Sequence, residues 1–414
     1  MTQDNFNPIK KFIDDYICRM IPGTRVGDVE KAQRRFNGKH SDQTYIHKIY
    51  LEDQIHYFDV IKSKPFSKEE HNLIRDIIDE GFTKRVFEDP YRDDLSKGIV
   101  EVAIAKFIGK KRWNVVKNVL ELYDSWSSQT YEGNRISHNI GIHPRGMTEL
   151  FPSLPDHQDE DYLKILGSGH STMLTLSAGG SIQRLELLSR HEEAELDKLD
   201  APISLGHIAE WAQASKVAIS LTRNGEILLF ENSSLVFAKR RGSWRYFPHS
   251  LIRKESMQIH EMDISSNIRA AIYRTALDVA FSRGGACIGI IPSNQGIKTC
   301  VPGGRLLSNH TQYAGLFDSI IGKKKFHEIA RQIRAELCAI DGATIVDLKG
   351  NIVCVGAILT NSGNEEGGGG RSAAARRISD FGIGIKVSND GYIEFFPKGY
   401  NETIKADRIS TKLG

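Results

Sequence analysis

Four consecutive glycines, Gly367 to Gly370, run directly into Arg371 and Ser372 and then into Ala373-Ala374-Ala375-Arg376-Arg377-Ile378-Ser379-Asp380. Glycine lifts the steric bar on positive φ and lets a ligand approach the backbone. Alanine is the best helix former. A Gly-rich loop feeding a helix N-terminus presents N–H groups without intrahelical partners and the positive end of the helix dipole, which suits phosphate. Arg371 adds a planar fork for phosphoryl oxygens. A flexible linker has the same composition, so the loop alone leaves both readings open. It is not a Walker A loop, since no Gly-Lys-Ser/Thr follows, and its contiguous glycines do not fit a dinucleotide fingerprint. Upstream, Asp341-Gly342-Ala343 sits between an apolar-periodic helix (Ile329, Ile333, Leu337, Ile340) and the β-branched run Thr344-Ile345-Val346. A carboxylate at such a junction, beside two small residues, suits proton transfer from a hydroxyl held against the backbone. It equally suits an Asx-type turn.

The elements that must position these residues come in a definite order. A helix leads into Asp-Gly-Ala and a strand, followed by the turn Lys349-Gly350-Asn351 and a strand ending Gly356-Ala357-Ile358-Leu359. The Gly-rich loop, Arg371, the Ala-rich helix, Ile378-Ser379-Asp380 and a further strand complete it. This order resembles the diadenylate cyclase domain of DNA-integrity scanning proteins and membrane-bound cyclases. The resemblance reaches back to about Ser265, through a helix at Asn267–Phe281 and a buried strand from Gly285 to Pro292, about a third of the chain.

The resemblance implies an activity: condensation of two ATP molecules into cyclic di-AMP, with release of pyrophosphate, between two domains that face each other in a homo-oligomer. It implies that Asp341 activates a 3′-hydroxyl and contacts the Mg or Mn ion that accompanies ATP, and that Arg371 holds phosphate. Gly342, Ala343, Gly369, Gly370, Ser372 and Ser379 would contact nucleotide, with Gly356, Ala357 and Leu359 bordering the adenine. Two departures stand out. The family's Arg-His-Arg is here Arg371-Ser372-Ala373, and Ile340 stands where some members carry a metal-binding His. Loss of one charge-assisted phosphate contact is worth ~1.5–3 kcal/mol, enough to slow catalysis without abolishing binding. A catalytically lapsed nucleotide or cyclic-dinucleotide sensor is therefore the alternative to an enzyme, and a scaffold keeping only the fold is a third.

At 414 residues, two or three domains are expected. A net charge of +3 with 26% charged residues is too mild to argue for nucleic acid or membrane. No export signal or long apolar run is present, so a cytoplasmic location and no membrane partner are expected. The five cysteines lack CxxC spacing and read as free thiols, three of them (Cys287, Cys338, Cys354) in apolar runs.

The expected division is a mixed N-terminal region (1–96), a sensor-like α/β domain (97–260) and the cyclase-like domain (261–414). The fold class is mixed α+β: a C-terminal mixed sheet flanked by helices, preceded by a second α/β unit. Ser67 with Glu70 marks a capped helix start, Gly109-Lys110-Lys111 a helix break, and Arg223-Asn224-Gly225 a hairpin. Thr130-Tyr131-Glu132-Gly133 reads as a helix-to-strand turn, and Glu192 to Asp200 as an exposed acidic helix. Residues 294–325 form a long connection whose Arg305 is a candidate to reach a second nucleotide. His138, His143, His157 and His170 are too irregularly spaced for a metal site. Lys239 to Tyr246 interleaves basic and aromatic residues, a pattern shared by nucleic-acid surfaces and by twisted hairpins with the rings packed inward. The element order of 99–247 parallels that of 266–396, with Val217–Phe230 set against Thr344–Val355, which suggests a related, nucleotide-free unit upstream.

Overall fold

Two fully buried strands, Val217–Leu221 and Ala286–Ile290, each lie inside a mixed sheet. The computed structural model describes residues 8–31, 43–51, 54–62, 65–83, 98–145, 153–154, 161–168, 171–188, 193–257, 264–307, 312–359, 369–398 and 412–413. The chain divides into two units: residues 1–190 with 207–247, and 191–206 with 248–414.

The first unit opens with strands β1 (Thr24–Lys31), β2 (Thr44–Leu51) and β3 (Gln54–Lys62), paired antiparallel in the order β1-β3-β2. The helix Lys68–Thr83 starts at the expected capping box: the Ser67 N–H donates to Glu70 Oε2 (2.8 Å) and the Glu70 N–H to Ser67 Oγ (3.1 Å). Helices Ile99–Gly109 and Trp113–Trp126 are separated at Lys110, where φ is +51°. A two-residue pair, β4 (Thr130–Tyr131) and β5 (Asn134–Arg135), precedes a seven-stranded sheet. That sheet holds β6 (His138–Ile142), β7 (Thr172–Leu176), β8 (Ile182–Leu187), β9 (Val217–Leu221), β10 (Ile227–Glu231), β11 (Ser234–Arg240) and β12 (Ser243–Tyr246). One apolar core takes Ile17, Phe58 and Leu73 from the first 96 residues together with Ile104, Leu120 and Phe237. The N-terminal region and this sheet therefore form one unit rather than two. In the β11–β12 hairpin Trp244 and Tyr246 are buried and Arg240 pairs with Glu226 (2.9 Å), the inward-packed arrangement.

The second unit holds β13 (Ala286–Ile290), β14 (Ala343–Val346), β15 (Ile352–Ala357), β16 (Ile383–Val387), β17 (Ile393–Phe396) and β18 (Lys412–Leu413) in one sheet. Helices Ser266–Phe281, Arg331–Ala339 and Gly370–Ser379 contact it. Together the two units give the expected mixed α+β class.

The two large sheets share a topology. Their orders are β8-β7-β6-β9-β10-β11, with β12 added at the end of the first sheet, and β15-β14-β13-β16-β17-β18. In each, the first strand of the sheet in chain order, β6 or β13, lies parallel to its successor, Ile140 beside Leu174 and Ile288 beside Thr344. Each is antiparallel on its other side, Ile140 beside Ile219 and Ile288 beside Ile385. The turns correspond bond for bond. Ser177 and Asp347 each close a five-residue turn, onto Ser181 (2.9 Å) and Asn351 (3.0 Å), with Gly180 and Gly350 at positive φ. Thr222 and Ser388 do the same onto Glu226 and Tyr392 (both 2.9 Å). The chain thus carries the same sheet twice. The correspondence differs from the sequence expectation: Val217–Phe230 matches β16–β17, while Thr344–Val355 matches β7–β8. Both hairpins alternate and turn alike, so only their pairing partners tell them apart.

The segment expected as an exposed acidic helix is a short helix, Glu193–Leu196, with Leu196 and Leu199 buried. Asp197 pairs with Arg334, and Asp200 with Arg274 (2.9 Å) and Arg253 (2.6 Å). Arg331, with no exposed surface, bonds Asp278 (2.6 and 2.9 Å) and the carbonyls of Leu196, Leu199 and Ala201. The arginines that neutralise this segment lie 53 or more residues downstream of Asp200, out of reach of a local pattern. Replacing Arg331 with Ala strands a buried carboxylate and three carbonyls, so scanning calorimetry should show the second unit destabilised by ~3–5 kcal/mol. A loss under about 1 kcal/mol would contradict the clamp.

Candidate functional site

Asp341 follows the helix Arg331–Ala339 and immediately precedes β14. Its neighbour Gly342 has φ +107°, and a β-carbon there would stand 2.5 Å from the carbonyl carbon of Gly356. Gly356 itself has φ +61° and lies against Ile340 and the Asp341 carbonyl. Both positions require glycine. Their approach coincides with the register break between Ala343–Ala357 and Ile345–Cys354, a bulge that presents Asp341 at the strand end. Asp341 is exposed, while Ala343 is buried within the sheet.

The helix Gly370–Ser379 begins without a side-chain cap. Its first N–H groups have no acceptors within the helix. Arg371 Nη1 donates to Asn389 Oδ1 (2.9 Å), and the guanidinium lies so close over Gly285 that a β-carbon there would be 2.1 Å from Nη1. Gly285 and Asn389 together seat the arginine.

These pieces wall one cavity of about 580 Å³, within the range of small-molecule sites. Asp341, Gly342, Ala357, Leu359 and Gly369 to Ser372 all line it. Ala343 and Gly356 are not part of the lining. Ser379 lies at the far end of its helix, fully buried, its hydroxyl donating to the Arg376 carbonyl (2.6 Å), and does not line the cavity. Gly367 and Gly368 lie outside the described residues. Arg305 is exposed on a short turn and is not part of the lining.

Besides Ile358, Ala373 and Ala374, which adjoin expected residues, the lining holds Cys287, Lys386, Ser388 and Asn389, which the sequence did not single out as contributors to the site. Cys287 and Lys386 are directly paired on β13 and β16. Burial pushes the Cys287 thiol up to about 12, so it is no nucleophile at neutral pH. Lys386 Nζ lies 3.1 Å from Glu394 Oε2. Its signal was visible: it is the one charge inside Ile383-Gly384-Ile385-Lys386-Val387.

The first sheet provides an internal comparison. By register, Asn139 stands for Cys287, Ser220 for Lys386 and Ser171 for Asp341. Asn139 Nδ2 donates to the Gly167 and Thr172 carbonyls (both 3.0 Å) and its Oδ1 accepts from Ser220 Oγ (2.7 Å). The polar groups there satisfy one another, and none of the three is charged. His138 is buried beside Tyr123 (2.8 Å), and burial lowers it to about 4; His157 and His170 lie outside the described residues.

Among the described residues no group of three or more His, Cys, Asp or Glu side chains could hold a metal. Among the described residues Asp341 is the one carboxylate lining the cavity. A single carboxylate fits a Mg²⁺-type ion that arrives on nucleotide phosphates, since such ions are commonly held by one or two carboxylates plus phosphate oxygens.

No protein-family model matches the sequence, and no curated protein matches it. Among solved structures, DacA from Staphylococcus aureus, a diadenylate cyclase, in a double-cysteine form, is 19% identical, with a TM-score of 0.23 over 32% of this chain and 82% of that one. A hypothetical membrane-spanning protein from Bacillus cereus is 16% identical, with a TM-score of 0.25 over 35% of this chain and 62% of that one. Similarities of this size assign no activity to this chain.

Gly342→Ala forces a side chain into a left-handed backbone and against Gly356, and should destabilise the second unit by about 1–3 kcal/mol. Gly369→Ala, with nothing within 4 Å of its β-carbon, should change stability by less than about 0.5 kcal/mol. Calorimetry of the pair checks this; equal effects would contradict the glycine requirement.

Proposed function

We propose that the second unit binds ATP and acts as a diadenylate-cyclase-like nucleotidyltransferase. The observation that carries this reading is the joining of Asp341 and Arg371, 30 residues apart in sequence, on one cavity together with a helix N-terminus and a glycine-lined wall. Such a cavity offers a base, a phosphate fork and open N–H groups, with apolar Ala357 and Leu359 on its border to receive a base ring.

In the proposed reaction the Asp341 carboxylate takes the proton of a ribose 3′-hydroxyl. The oxygen attacks the α-phosphorus of a second ATP, forming a phosphodiester as the bond to the β-phosphate breaks and pyrophosphate leaves. Arg371, held by Asn389, orients phosphoryl oxygens and stabilises their charge without reorganising. A divalent ion carried by ATP would add charge neutralisation when bound. Repeating the step closes the cyclic dinucleotide, which requires two such cavities to face each other across a pair of chains. The first unit then serves as the sensor-like region. A cytoplasmic location belongs to the same reading; among the described residues no helix is long and apolar enough to cross a membrane.

A second reading, a lapsed enzyme that senses ATP or a cyclic dinucleotide, is favoured by one feature. Ser372 and Ala373 occupy the positions after Arg371, and Ser372 is buried, so this turn of helix contributes one cation.

Mass spectrometry after incubation with ATP and Mn²⁺ or Mg²⁺ separates the readings. The parent should form a cyclic dinucleotide and Asp341→Asn should lose at least about 100-fold of the rate, the scale of a general base, while keeping ATP affinity within a few fold. Tight nucleotide binding without product would establish the sensor reading. Product formation by Asp341→Asn at the parental rate would remove Asp341 from the mechanism.

A further inference from the structure

We infer that Lys386 is a phosphate-positioning residue of this cavity, supplying from β16 the second cation that the helix after Arg371 lacks. The inference rests on the nucleotide reading above and extends it to a residue outside the glycine-rich motif.

The placement is specific. Gly384, Lys386 and Ser388 alternate along one strand and so share a face. A β-carbon at Gly384 would strike the Ala375 backbone, so this face packs against the helix Gly370–Ser379. Lys386 and Ser388 line the cavity, and Asn389, next in sequence, is the residue that seats Arg371. Lys386, Arg371 and the helix N-terminus therefore line the same cavity. A lysine inside an otherwise apolar strand, its side chain 22% exposed, gives up hydration that a solvated surface lysine keeps. Its cross-strand partner Glu394 holds it by a single contact of 3.1 Å. An ammonium has three donors, so two remain for other acceptors. In the first sheet the equivalent strand carries Ser220, and the charge is missing together with the carboxylate, whose place Ser171 takes. These two charges occur together in the second copy and are absent together from the first.

The competing role is structural: Lys386 neutralises Glu394 and has no ligand. Calorimetric titration of the full-length protein with a non-hydrolysable ATP analogue and with adenosine distinguishes the two. Lys386→Met should weaken the analogue about tenfold or more, the loss of one charge-assisted contact, and leave adenosine unchanged. Lys386→Arg should stay within about threefold of the parent. The double variant Lys386→Met with Glu394→Gln should remain weak, because the phosphate contact is still missing. Recovery of affinity in the double variant would assign the effect to the stranded carboxylate and overturn the inference, as would unaltered affinity in Lys386→Met. A parent that binds neither ligand would overturn the nucleotide reading itself, a result distinct from either.

Discussion

At Gly342 the backbone of β14 comes so close to Gly356 that no side chain fits between them, and both residues take left-handed φ values. A register break between Ala343 and Ile345 lies beside this crossing, and Asp341, just before the strand, is exposed and lines the cavity. Everything else at the site is arranged about that point. The helix Arg331–Ala339 delivers the chain into it, and the helix Gly370–Ser379, with Arg371 at its first turn, lines the same cavity. A glycine pair is the only chemistry that permits this approach, which ties the Asp-Gly-Ala sequence to the position of its carboxylate.

The delivering helix is itself fixed by charge. Arg331 and Arg334 emerge from its first turn and are buried among Asp278, Asp197 and the carbonyls of residues 196–201. Burial pushes the Asp278 carboxyl up while Arg331 pulls it back. Such a cluster is worth little over an apolar substitute yet is severely destabilising when half removed, so it sets the position of the helix more than it adds to stability. The two copies of the sheet show what that scaffold requires and what it does not. Strand order, register and both turns persist in each, while the residues at the cavity differ in charge and size. In the first copy Asn139 and Ser220 satisfy one another internally; in the second, Asp341, Arg371 and Lys386 line a cavity.

Much of the site was legible in the sequence because it is local. The Asp-Gly-Ala junction, the glycine-to-alanine transition at Gly369 to Ala375, the Ser67–Glu70 cap and the helix break at Lys110 are short-range features with short-range causes. The remainder depends on contacts across long separations. Lys386 joins the cavity through its pairing with Cys287, 99 positions earlier. Asp197 and Asp200 looked solvated because their arginine partners lie elsewhere in the chain. Ser379 looked like a ligand because it follows the motif, yet one and a half helical turns separate it from the cavity-lining Ala374 and turn its hydroxyl onto Arg376. The repeat was visible as an order of elements, but its correspondence was misassigned until strand partners fixed it.

The central claim is that nucleotide binding belongs to the second copy of the sheet alone. Equilibrium dialysis of the full-length protein with a radiolabelled non-hydrolysable ATP analogue tests it directly. The account predicts saturation at one nucleotide per chain, with affinity weakened about tenfold or more in Arg371→Ala. Saturation at two per chain, or binding that survives Arg371→Ala unchanged, would place nucleotide outside this cavity and contradict the account.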